Sequence, residues 1–390
     1  MTTTRQINIV ILGAGYAGVF AANRISKKAP KNVRVTVINP RDQFVERVRL
    51  HQLAAGTHQA SVPLKTVLHR RAEVMVAEAR SIEGHTVVCS DGREVPFDYL
   101  MFAVGSRAAR NIPGSEHAFA VSEFDSASSL QRKLASLQPA ERVNVIGGGL
   151  TAIETVTEIA EAHKALNVHL YSDEPVASPY PAASREYINH TMRRLGVTIH
   201  EGHRVRRIHP GSLEAGDGDE RVPSAVTVLA AGFRAPELAQ RSGFTVDHLG
   251  RIRTDEYLRS LDDPAVFAIG DAGIPPAEVS EHLRMACATA NPMGAHSANN
   301  VLAVINGAEP KPFSLGYVGH CVSIGSKAGI LQFVNRDDTA KDFALKGRTA
   351  ATLKKSINNG LTSGLRLAPA VWRHGPKNAH EAAGDTVAMR

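Results

Sequence analysis

The sequence is poor in cysteine. Only three of its 390 residues are cysteines, Cys89, Cys287 and Cys321, and they lie far apart. No CxxC or CxxxxC pair is present, which argues against a disulfide framework, a zinc site and a closely spaced redox-active dithiol. Such scarcity fits a reducing compartment, so we expect a cytoplasmic protein without a bound metal.

Aromatic residues and long apolar runs are scarce as well. Aromatic side chains make up 5% of the sequence and show no basic-aromatic module, so we expect no nucleic-acid partner. No run of about 18 apolar residues occurs, which excludes a membrane-spanning helix. The chain starts without a basic stretch followed by an apolar stretch and a cleavage site, so we expect no secretory signal.

The remaining composition is that of a globular protein with a basic surface. Hydrophobic residues make up 43% and charged residues 21% of the sequence, and the formal net charge is +7. A positive charge favours anionic cofactors or an anionic membrane face. The length predicts two or three domains rather than a single core.

A glycine-rich turn follows the first apolar segment. Residues 7–12 are apolar, Gly13-x-Gly15-x-x-Gly18 comes next, and residues 33–38 form a second predicted strand after a helical pattern. In such a βαβ unit the first glycine permits a tight turn, the second lets the backbone approach a pyrophosphate, and the third lets helix and strand pack closely. The helix N-terminus adds N–H donors for the phosphates, so the unit predicts a dinucleotide site.

The second strand of this unit ends at Asn39, where an acid usually binds the ribose hydroxyls. The amide oxygen of asparagine accepts a hydrogen bond but carries no charge. We assign Asn39 to the adenosine ribose. The alternative is a simple turn residue before Pro40.

The same pattern recurs in the middle of the chain. Residues 142–146 form a predicted strand, Gly147-x-Gly149-x-x-Ala152 is the turn, and residues 167–171 form the next strand after a helix. Alanine is permitted at the third position of the fingerprint. A second dinucleotide site is therefore predicted here.

The strand end of this second unit also departs from the usual acid. Ser172 stands at the ribose-reading position, and Asp173 follows it. A small neutral residue tolerates a 2′-phosphate, but no arginine is adjacent in sequence. The sequence therefore leaves the choice between NADH and NADPH open.

Five motifs in a fixed order point to a family. They are ILGAGYAG, YLMFAVGS, VIGGGLTAIE, VLAAGFRAP and VFAIGDA, spread over roughly residues 7–335. This order resembles the two-dinucleotide-binding-domain flavoprotein oxidoreductases. Within that superfamily the chain looks most like the type II NADH dehydrogenases and the apoptosis-inducing-factor-like proteins.

The resemblance implies an α/β fold with two Rossmann-like domains, in which the NAD(P)H domain interrupts the FAD domain. The implied limits are 1–110 and 240–310 for FAD, 111–239 for NAD(P)H, and 311–390 for a small C-terminal α+β region. FAD is then the bound cofactor and NADH or NADPH the co-substrate. The implied activity is hydride transfer from NAD(P)H to the flavin, followed by electron transfer to a quinone-like or other small acceptor.

Family positions imply roles for several residues. Gly270 and Asp271 match the motif whose acid binds the ribityl and phosphate region of FAD, and Gly105 matches a segment that crosses near FAD. Glu154 matches an acid near the nicotinamide end, although a glutamate in the first turn of a helix also suits the helix dipole.

Two segments differ from family patterns. The stretch QFVERVRLHQLAAG has no CxxxxC pair, so the disulfide chemistry of the glutathione or lipoamide type is not expected. Type II NADH dehydrogenases carry a glutamine pair after the motif that contains Asp271, and Asn291-Pro292 stand there instead. This difference weakens the case for quinone as the acceptor.

The unusual polar cluster ERVRLH supplies three catalytic candidates. If the segment is extended, Arg47, Arg49 and His51 share one face because side chains alternate along a strand. They could stabilise negative charge on a reduced flavin or bind an anionic substrate. A solvated basic face is the alternative.

Three more candidates lie in residues 316–333, which resemble the strand pair on the far side of the flavin. His320, Cys321 and Lys327 are candidates for the substrate pocket, although such residues often pack or face solvent.

A basic amphipathic helix is predicted over residues 340–358, interrupted by Gly347. It favours a surface or homodimer element over peripheral contact with an anionic membrane. Two alternatives to a quinone or dye reductase stay open: a soluble flavin oxidoreductase of specialised metabolism that acts on a small anionic molecule, and a non-enzymatic flavin redox sensor.

Overall fold

The computed structural model describes residues 5–216, 221–367 and 372–376. Helices and strands are numbered here in chain order. The strands are β1 Ile7–Leu12, β2 Val33–Asn39, β3 Gln43–Val45, β4 Ser61–Pro63, β5 Ala72–Val76, β6 Ala79–Glu83, β7 Thr86–Cys89, β8 Glu94–Pro96, β9 Tyr99–Phe102, β10 Arg107–Ala108, β11 Phe119–Ala120, β12 Arg142–Ile146, β13 Asn167–Ser172, β14 Thr198–Glu201, β15 Val205–His209, β16 Ser212–Ala215, β17 Arg221–Pro223, β18 Val226–Leu229, β19 Phe233–Arg234, β20 Ile252–Arg253, β21 Val266–Ala268, β22 Gly273–Ile274, β23 Gly319–Ser323, β24 Gly329–Val334 and β25 Ala340–Lys346. The α-helices are α1 Tyr16–Lys28, α2 Leu50–Ala55, α3 Leu64–Val67, α4 Phe124–Ala135, α5 Leu150–Ala162, α6 Ala182–Arg194, α7 Leu238–Arg241, α8 Ala277–Ser280, α9 Cys287–Ile305 and α10 Arg348–Leu367.

The first large sheet is parallel and has the order β5-β2-β1-β9-β21. Its central strand β1 is apolar except for Asn8, and its last four residues are buried by side chains on both faces, as parallel strands usually are. The last strand, β21, joins this sheet from a distant part of the chain. The predicted βαβ unit is therefore present, and a late segment completes its sheet.

The second large sheet is also parallel and has the order β14-β13-β12-β18-β11. All of its strands come from the stretch of chain between β9 and β21. The second unit is thus inserted into the first. This arrangement agrees with the α/β fold class that the two glycine fingerprints predicted.

Among the described residues, three three-stranded antiparallel sheets and three two-stranded ones, β3-β4, β10-β19 and β20-β22, complete the architecture. The meander β6-β7-β8 accompanies the first large sheet, and β15-β16-β17 accompanies the second. The third, β23-β24-β25, follows α9 and is covered by α10. No helix in the described ranges is both long enough and apolar enough to cross a membrane.

The predicted helix over residues 340–358 is wrong in its first part. Residues Ala340–Lys346 form β25, which pairs with β24 in an antiparallel ladder. Gly347 then turns the chain with a φ of +81°, a left-handed conformation that suits glycine, and α10 begins at Arg348. The glycine separates a strand from a helix rather than interrupting a helix.

The helices α1 and α9 pack closely in the core of the first unit. A Cβ atom added at Gly294 of α9 would overlap the carbonyl oxygen of Ala17 in α1. The two backbones can approach this closely only because residue 294 has no side chain. Both Gly294 and Ala17 are buried.

We therefore expect Gly294→Ala to destabilise the fold by about 1–3 kcal/mol, the usual cost of overpacking a core. Gly360→Ala is the matched control, because Gly360 lies in α10 with open space within 4 Å of its Cβ position among the described residues. Alanine in an exposed helix is better than glycine by about 0.5–1 kcal/mol, so this control should raise the unfolding temperature. Thermal unfolding followed by circular dichroism measures both. A Gly294→Ala protein as stable as the wild type would contradict the close α1–α9 contact.

Candidate functional site

The first glycine loop lies between β1 and α1 and is held in a close-packed conformation that requires glycine. Gly13 has a φ of +101°, and a Cβ there would overlap the carbonyl oxygen of Ala103. A Cβ at Gly18 would overlap the carbonyl oxygen of Gly13. At Gly15, by contrast, a Cβ would face open space. Two glycines thus permit the turn, and the third leaves the backbone open to a ligand.

A cleft with a volume of about 440 Å³ opens beside this loop. It is lined by the ends of three strands of the first sheet, at residues 13–17, 103–106 and 269–271. Thr151 and Glu154 of α5 and Lys354 of α10 line it as well, while Gly147 and Gly149 are not among its lining residues. Parts of both dinucleotide units and of the C-terminal helix therefore meet in one cleft, the place where open α/β sheets bind ligands.

Asn39 supports the glycine loop from the end of β2. Its side-chain Oδ1 accepts a hydrogen bond from the backbone N–H of Ala14 at 2.9 Å, and its Nδ2 donates to the carbonyl oxygen of Arg41 at 2.7 Å. The side chain also lines the cleft. Asn39 thus orders the loop from the position where the ribose-binding acid is usual.

Asp271 lies at the carboxyl end of the first sheet, three residues after the end of β21, and follows Gly270, whose φ is +65°. Ser106 Oγ donates a hydrogen bond to Asp271 Oδ2 at 2.6 Å, and Arg47 Nη1 lies 3.4 Å from the same oxygen. Both contacts use Oδ2, which leaves Oδ1 available. Gly105, with a φ of +71°, carries the chain past this carboxylate.

The expectation of an extended segment from Arg47 to His51 is wrong. Arg47–Arg49 form a turn of 3₁₀ helix, and α2 starts at Leu50. In a helical turn residues four apart share a face and residues two apart do not, so Arg47 and His51 both line the cleft while Arg49 does not. Arg47 contacts Asp271 in the cleft, whereas Arg49 is buried elsewhere.

Arg49 links α10 to the first unit through hydrogen bonds and an ion pair. Its Nη2 donates to Asn359 Oδ1 at 2.5 Å, its Nη1 donates to Gln52 Oε1 at 3.1 Å, and its Nε lies 3.5 Å from Glu46 Oε1. The same Glu46 oxygen accepts a hydrogen bond from Thr362 Oγ1 at 2.6 Å. Arg49 is therefore a structural residue beneath α10 and does not line the cleft.

A buried ion pair forms part of the lining of the cleft. Lys354 Nζ lies 3.2 Å from Glu154 Oε1, and the two side chains are only 13% and 12% exposed. Glu154 Oε1 also accepts hydrogen bonds from the backbone N–H and the hydroxyl of Ser323, at 3.0 and 2.9 Å. Lys354 donates a further bond to the carbonyl oxygen of Cys321 at 2.9 Å.

The pair stays charged despite its burial. Burial alone would raise the pKa of Glu154, but Lys354, His51 and the bonds from Ser323 outweigh it and lower that pKa. Burial alone would lower the pKa of Lys354, and the attraction of Glu154 raises it instead. The cleft thus contains a fixed cation and a fixed anion at neutral pH.

Lys354 was missed by the sequence analysis, although a signal existed. Ala350, Asn358 and Leu365 are buried on one side of α10, and Lys354 lies four residues from each of the first two. That spacing places the lysine on the inward face of the helix. The basic residues of this segment instead suggested a surface helix.

His51 of α2 lines the cleft near this pair and is only 5% exposed. Its Nε2 has no hydrogen-bond partner among the described residues. Burial lowers the pKa of His51 to about 4, so its imidazole is neutral at pH 7.

The structure does not bring the other three catalytic candidates into the cleft. His320 bonds Tyr180 through Nδ1 at 2.9 Å and Asp338 through Nε2 at 2.8 Å. Cys321 offers its backbone oxygen to Lys354, and burial raises the pKa of its thiol. Lys327 lies exposed on the turn between β23 and β24. Their proposed roles in a substrate pocket therefore gain no support from their positions.

Cysteine chemistry has little support. All three cysteines are free. Cys287 lines the cleft, and burial raises the pKa of its thiol, which disfavours the reactive thiolate. Within the described ranges, no group of three histidine, cysteine or acidic residues is placed to hold a metal ion.

The second glycine loop repeats the geometry of the first between β12 and α5. Gly147 has a φ of +136°, and a Cβ there would lie 2.8 Å from the carbonyl oxygen of Ala230. A Cβ at Gly149 would meet open space, and Ala152 is fully buried behind the turn. Gly149 directly precedes α5, so the helix N-terminus is open beside it.

Ser172 ends β13 with its side chain turned inward. Its hydroxyl donates to the carbonyl oxygen of Glu174 at 2.6 Å, and a Cβ at Gly148 would overlap this hydroxyl. The residue is buried, whereas Asp173 beside it is exposed. Ser172 therefore shapes the loop more directly than it offers a group to a ribose.

The sequence model of the pyridine nucleotide-disulphide oxidoreductase family matches residues 7–298. The chain belongs to this family. Membership confirms the predicted superfamily, and it makes the protein an oxidoreductase that uses FAD and a pyridine nucleotide. The family's name refers to a disulphide, for which this chain has no close cysteine pair.

Curated relatives cover nearly the whole chain. An NADH dehydrogenase-like protein of Mycobacterium tuberculosis is 29% identical, over 90% of this chain and 92% of its own length. A type II NADH:quinone oxidoreductase of Staphylococcus saprophyticus is 26% identical, over 90% of this chain and 94% of its own length.

Solved structures share the fold of this family member at low sequence identity. NDH2 from Plasmodium falciparum, in complex with NADH, has a TM-score of 0.79 at 16% identity and covers 93% of this chain and 97% of its own. The sulfide:quinone oxidoreductase of Aquifex aeolicus has a TM-score of 0.78 at 18% identity, with coverages of 98% and 95%. These likenesses support the fold class.

The cleft of this family member suits FAD. The open backbone at Gly15 and the start of α1 can approach a pyrophosphate. The available oxygen of Asp271 can accept hydrogen bonds from ribityl hydroxyls. The cavity volume of about 440 Å³ falls within the usual range for cofactor sites, which is roughly 300–1,000 Å³.

The contribution of the ion pair between Glu154 and Lys354 to stability can be tested by substitution. Lys354→Met would leave the Glu154 carboxylate buried without its cation, so we expect a loss of stability of the order of 3 kcal/mol. Lys355→Met is the matched control, because Lys355 is the next residue of α10 and is exposed. Thermal and urea unfolding of the FAD-loaded proteins measure both. Equal stabilities for the two variants would show that the pair does not hold α10 in place.

Proposed function

We propose that this protein takes electrons from NAD(P)H through FAD and delivers them to a small-molecule acceptor, with a quinone as the first choice. The observation that carries the proposal is the shared cleft, which the first glycine loop, Asp271 and Glu154 of the second unit all line. A flavin held along the first loop would extend to the point where both units meet. Interfaces between domains are common places for such sites.

Each of the two nucleotides is assigned its own part of the chain. Residues 1–110 and 240–310 bind FAD, residues 111–239 bind NAD(P)H, and residues 311–390 form a C-terminal region. In the C-terminal region, α10 contributes Lys354 to the lining of the cleft.

The FAD-binding residues follow from the loop geometry. Gly13, Gly15 and Gly18 admit the pyrophosphate to the start of α1, and Asn39 serves the adenosine end while it holds the loop. Oδ1 of Asp271, which Arg47 and Ser106 leave available, accepts hydrogen bonds from the ribityl hydroxyls. Gly105 and Gly270 let the backbone come close to the cofactor at this point.

The NAD(P)H-binding residues occupy corresponding positions in the second unit. Gly147, Gly149 and Ala152 form the pyrophosphate turn, Ser172 shapes the ribose end, and Glu154 marks the nicotinamide end. Asp173 is exposed beside Ser172 and carries a charge that suits a ribose hydroxyl better than a 2′-phosphate.

The chemistry that FAD supplies when bound is the acceptance of a hydride and the onward transfer of electrons. The chain itself binds and orients the two nucleotides. The fixed pair of Glu154 and Lys354 gives the meeting point a preorganised dipole, which needs no rearrangement when charge moves nearby.

A neutral acceptor fits the charges of the cleft better than an anionic one. Three basic side chains line the cleft, and each is paired with a carboxylate: Arg41 with Asp125, Arg47 with Asp271, and Lys354 with Glu154. With these cations compensated, the cleft offers little net attraction to an anionic substrate. The names of the staphylococcal relative and of the Aquifex structure both include a quinone, which points to the same neutral class.

The first test compares acceptors with the purified protein. We expect yellow protein whose flavin absorbance is bleached by NADH or NADPH and restored by a short-chain quinone faster than by ferricyanide or oxygen. Stopped-flow absorbance with each nucleotide and acceptor measures the rates. Colourless protein that FAD cannot reconstitute would refute the proposal, and a flavin that neither nucleotide bleaches would leave only a flavin-binding sensor.

A pair of variants tests the division between the nucleotides. Asp271→Ala should weaken FAD retention, because it removes the ribityl acceptor. Gly149→Arg should keep FAD but block bleaching by NAD(P)H, because the new side chain fills the open space before α5. Flavin content and bleaching rates measure the two effects, and each variant serves as the control for the other. If both variants lost FAD equally, the assignment of one nucleotide to each loop would be wrong.

A further inference from the structure

His51 has a buried polar atom that no hydrogen bond among the described residues satisfies. It is buried on α2, it lines the cleft, and its Nε2 has no partner among the described residues. A buried polar atom without a hydrogen bond costs free energy, and proteins keep such atoms where a ligand supplies the partner. The neighbouring polar groups of the cleft, Glu154 and Lys354, are already bonded to each other and to the strand that contains Ser323.

We propose that Nε2 of His51 forms a hydrogen bond with the ring system of FAD in this cleft, an inference that rests on the proposed function. His51 would then be a cofactor-contacting residue that tunes the flavin. The ERVRLH segment drew attention in the sequence because of its charges, yet the residue that this inference selects is its neutral polar member.

The proposed contacts of the other cleft residues explain why the ring is the partner. In that arrangement Asn39 serves the adenosine end of FAD, the loop at Gly15 the pyrophosphate, and Asp271 the ribityl chain. His51 lines the same cleft, close enough to Glu154 and Lys354 for their charges to act on its pKa. The flavin ring is the part of FAD that those contacts leave without a polar partner, so it is the part we assign to His51.

The environment of His51 fixes its charge state. The charged groups that act on it are Glu154, Lys354 and Arg49, together with His58, and burial has a larger effect than any of them. The imidazole is therefore neutral at pH 7, and a neutral imidazole can donate or accept one hydrogen bond at Nε2. A donor at the edge of the ring stabilises the more electron-rich, reduced flavin.

Three variants of the FAD-loaded protein test the inference. His51→Leu removes the hydrogen bond and keeps a similar volume, His51→Gln keeps a polar group at a similar reach, and His51→Asn keeps the polarity but shortens the reach. His58→Leu is the matched control, because His58 lies on the same stretch of chain but does not line the cleft. Far-UV circular dichroism checks that each variant is folded.

We expect His51→Leu and His51→Asn to shift the visible spectrum of the bound flavin and to make its two-electron midpoint potential more negative. The Kd for FAD should rise about tenfold, equivalent to about 1.4 kcal/mol. His51→Gln should stay close to the wild type in all three measurements, as should His58→Leu. If His51→Leu does not fold, the comparison of His51→Gln with His51→Asn decides the question.

Other outcomes would overturn the inference in distinguishable ways. If the spectrum, the potential and the Kd for FAD are unchanged in the folded His51→Leu or His51→Asn variant, His51 does not contact the ring. If only the KM for the quinone changes, Nε2 contacts the acceptor instead of the flavin. A wild-type protein that binds no FAD would refute the proposed function itself, which is a different result from unchanged variants.

Discussion

The ion pair between Glu154 and Lys354 is the contact on which the arrangement of the three parts of the molecule depends. It joins α5 of the second unit to α10 of the C-terminal region, at the edge of a cleft that the first unit forms. Two charges are taken out of water there, and only their mutual attraction and added hydrogen bonds offset the cost of desolvation. Ser323 supplies two such bonds to the carboxylate, so the third antiparallel sheet is tied to the same point.

Further polar contacts extend this attachment in both directions. Arg49 and Glu46 bond the second half of α10 to the first unit, and Asn23 of α1 donates to the carbonyl oxygen of Leu365 near the end of that helix. On the other side, Ser184 of α6 bonds Gln332 of β24. The C-terminal region thus contacts both nucleotide units through buried or partly buried hydrogen bonds, which require a defined geometry. It holds the cleft in one shape where apolar packing alone would tolerate several.

The sequence reveals the features of this site that depend on residues close together in the chain. A glycine such as Gly13 is recognisable because a tight turn and a close backbone approach leave no room for another residue. Lys354 and Glu154 were harder to connect because they are far apart in the chain and only the folded structure brings them together. The direction of a short polar segment was also misjudged: a two-residue spacing of Arg47, Arg49 and His51 is equally compatible with a strand and with a helical turn, and tertiary packing decided. For the same reason β25 was mistaken for the start of α10.

The late return of β21 to the first sheet has a consequence for how the chain acquires its structure during synthesis. Every strand of the second sheet is made before Val266–Ala268 leave the ribosome, so the inserted unit can fold while its host still lacks an edge strand. Contacts between β9 and β21 span a large sequence separation, and such contacts form slowly because a long loop must close first. Asp271 comes three residues after the end of that strand. The order of synthesis therefore completes the first sheet and the cleft at its edge after the inserted second unit.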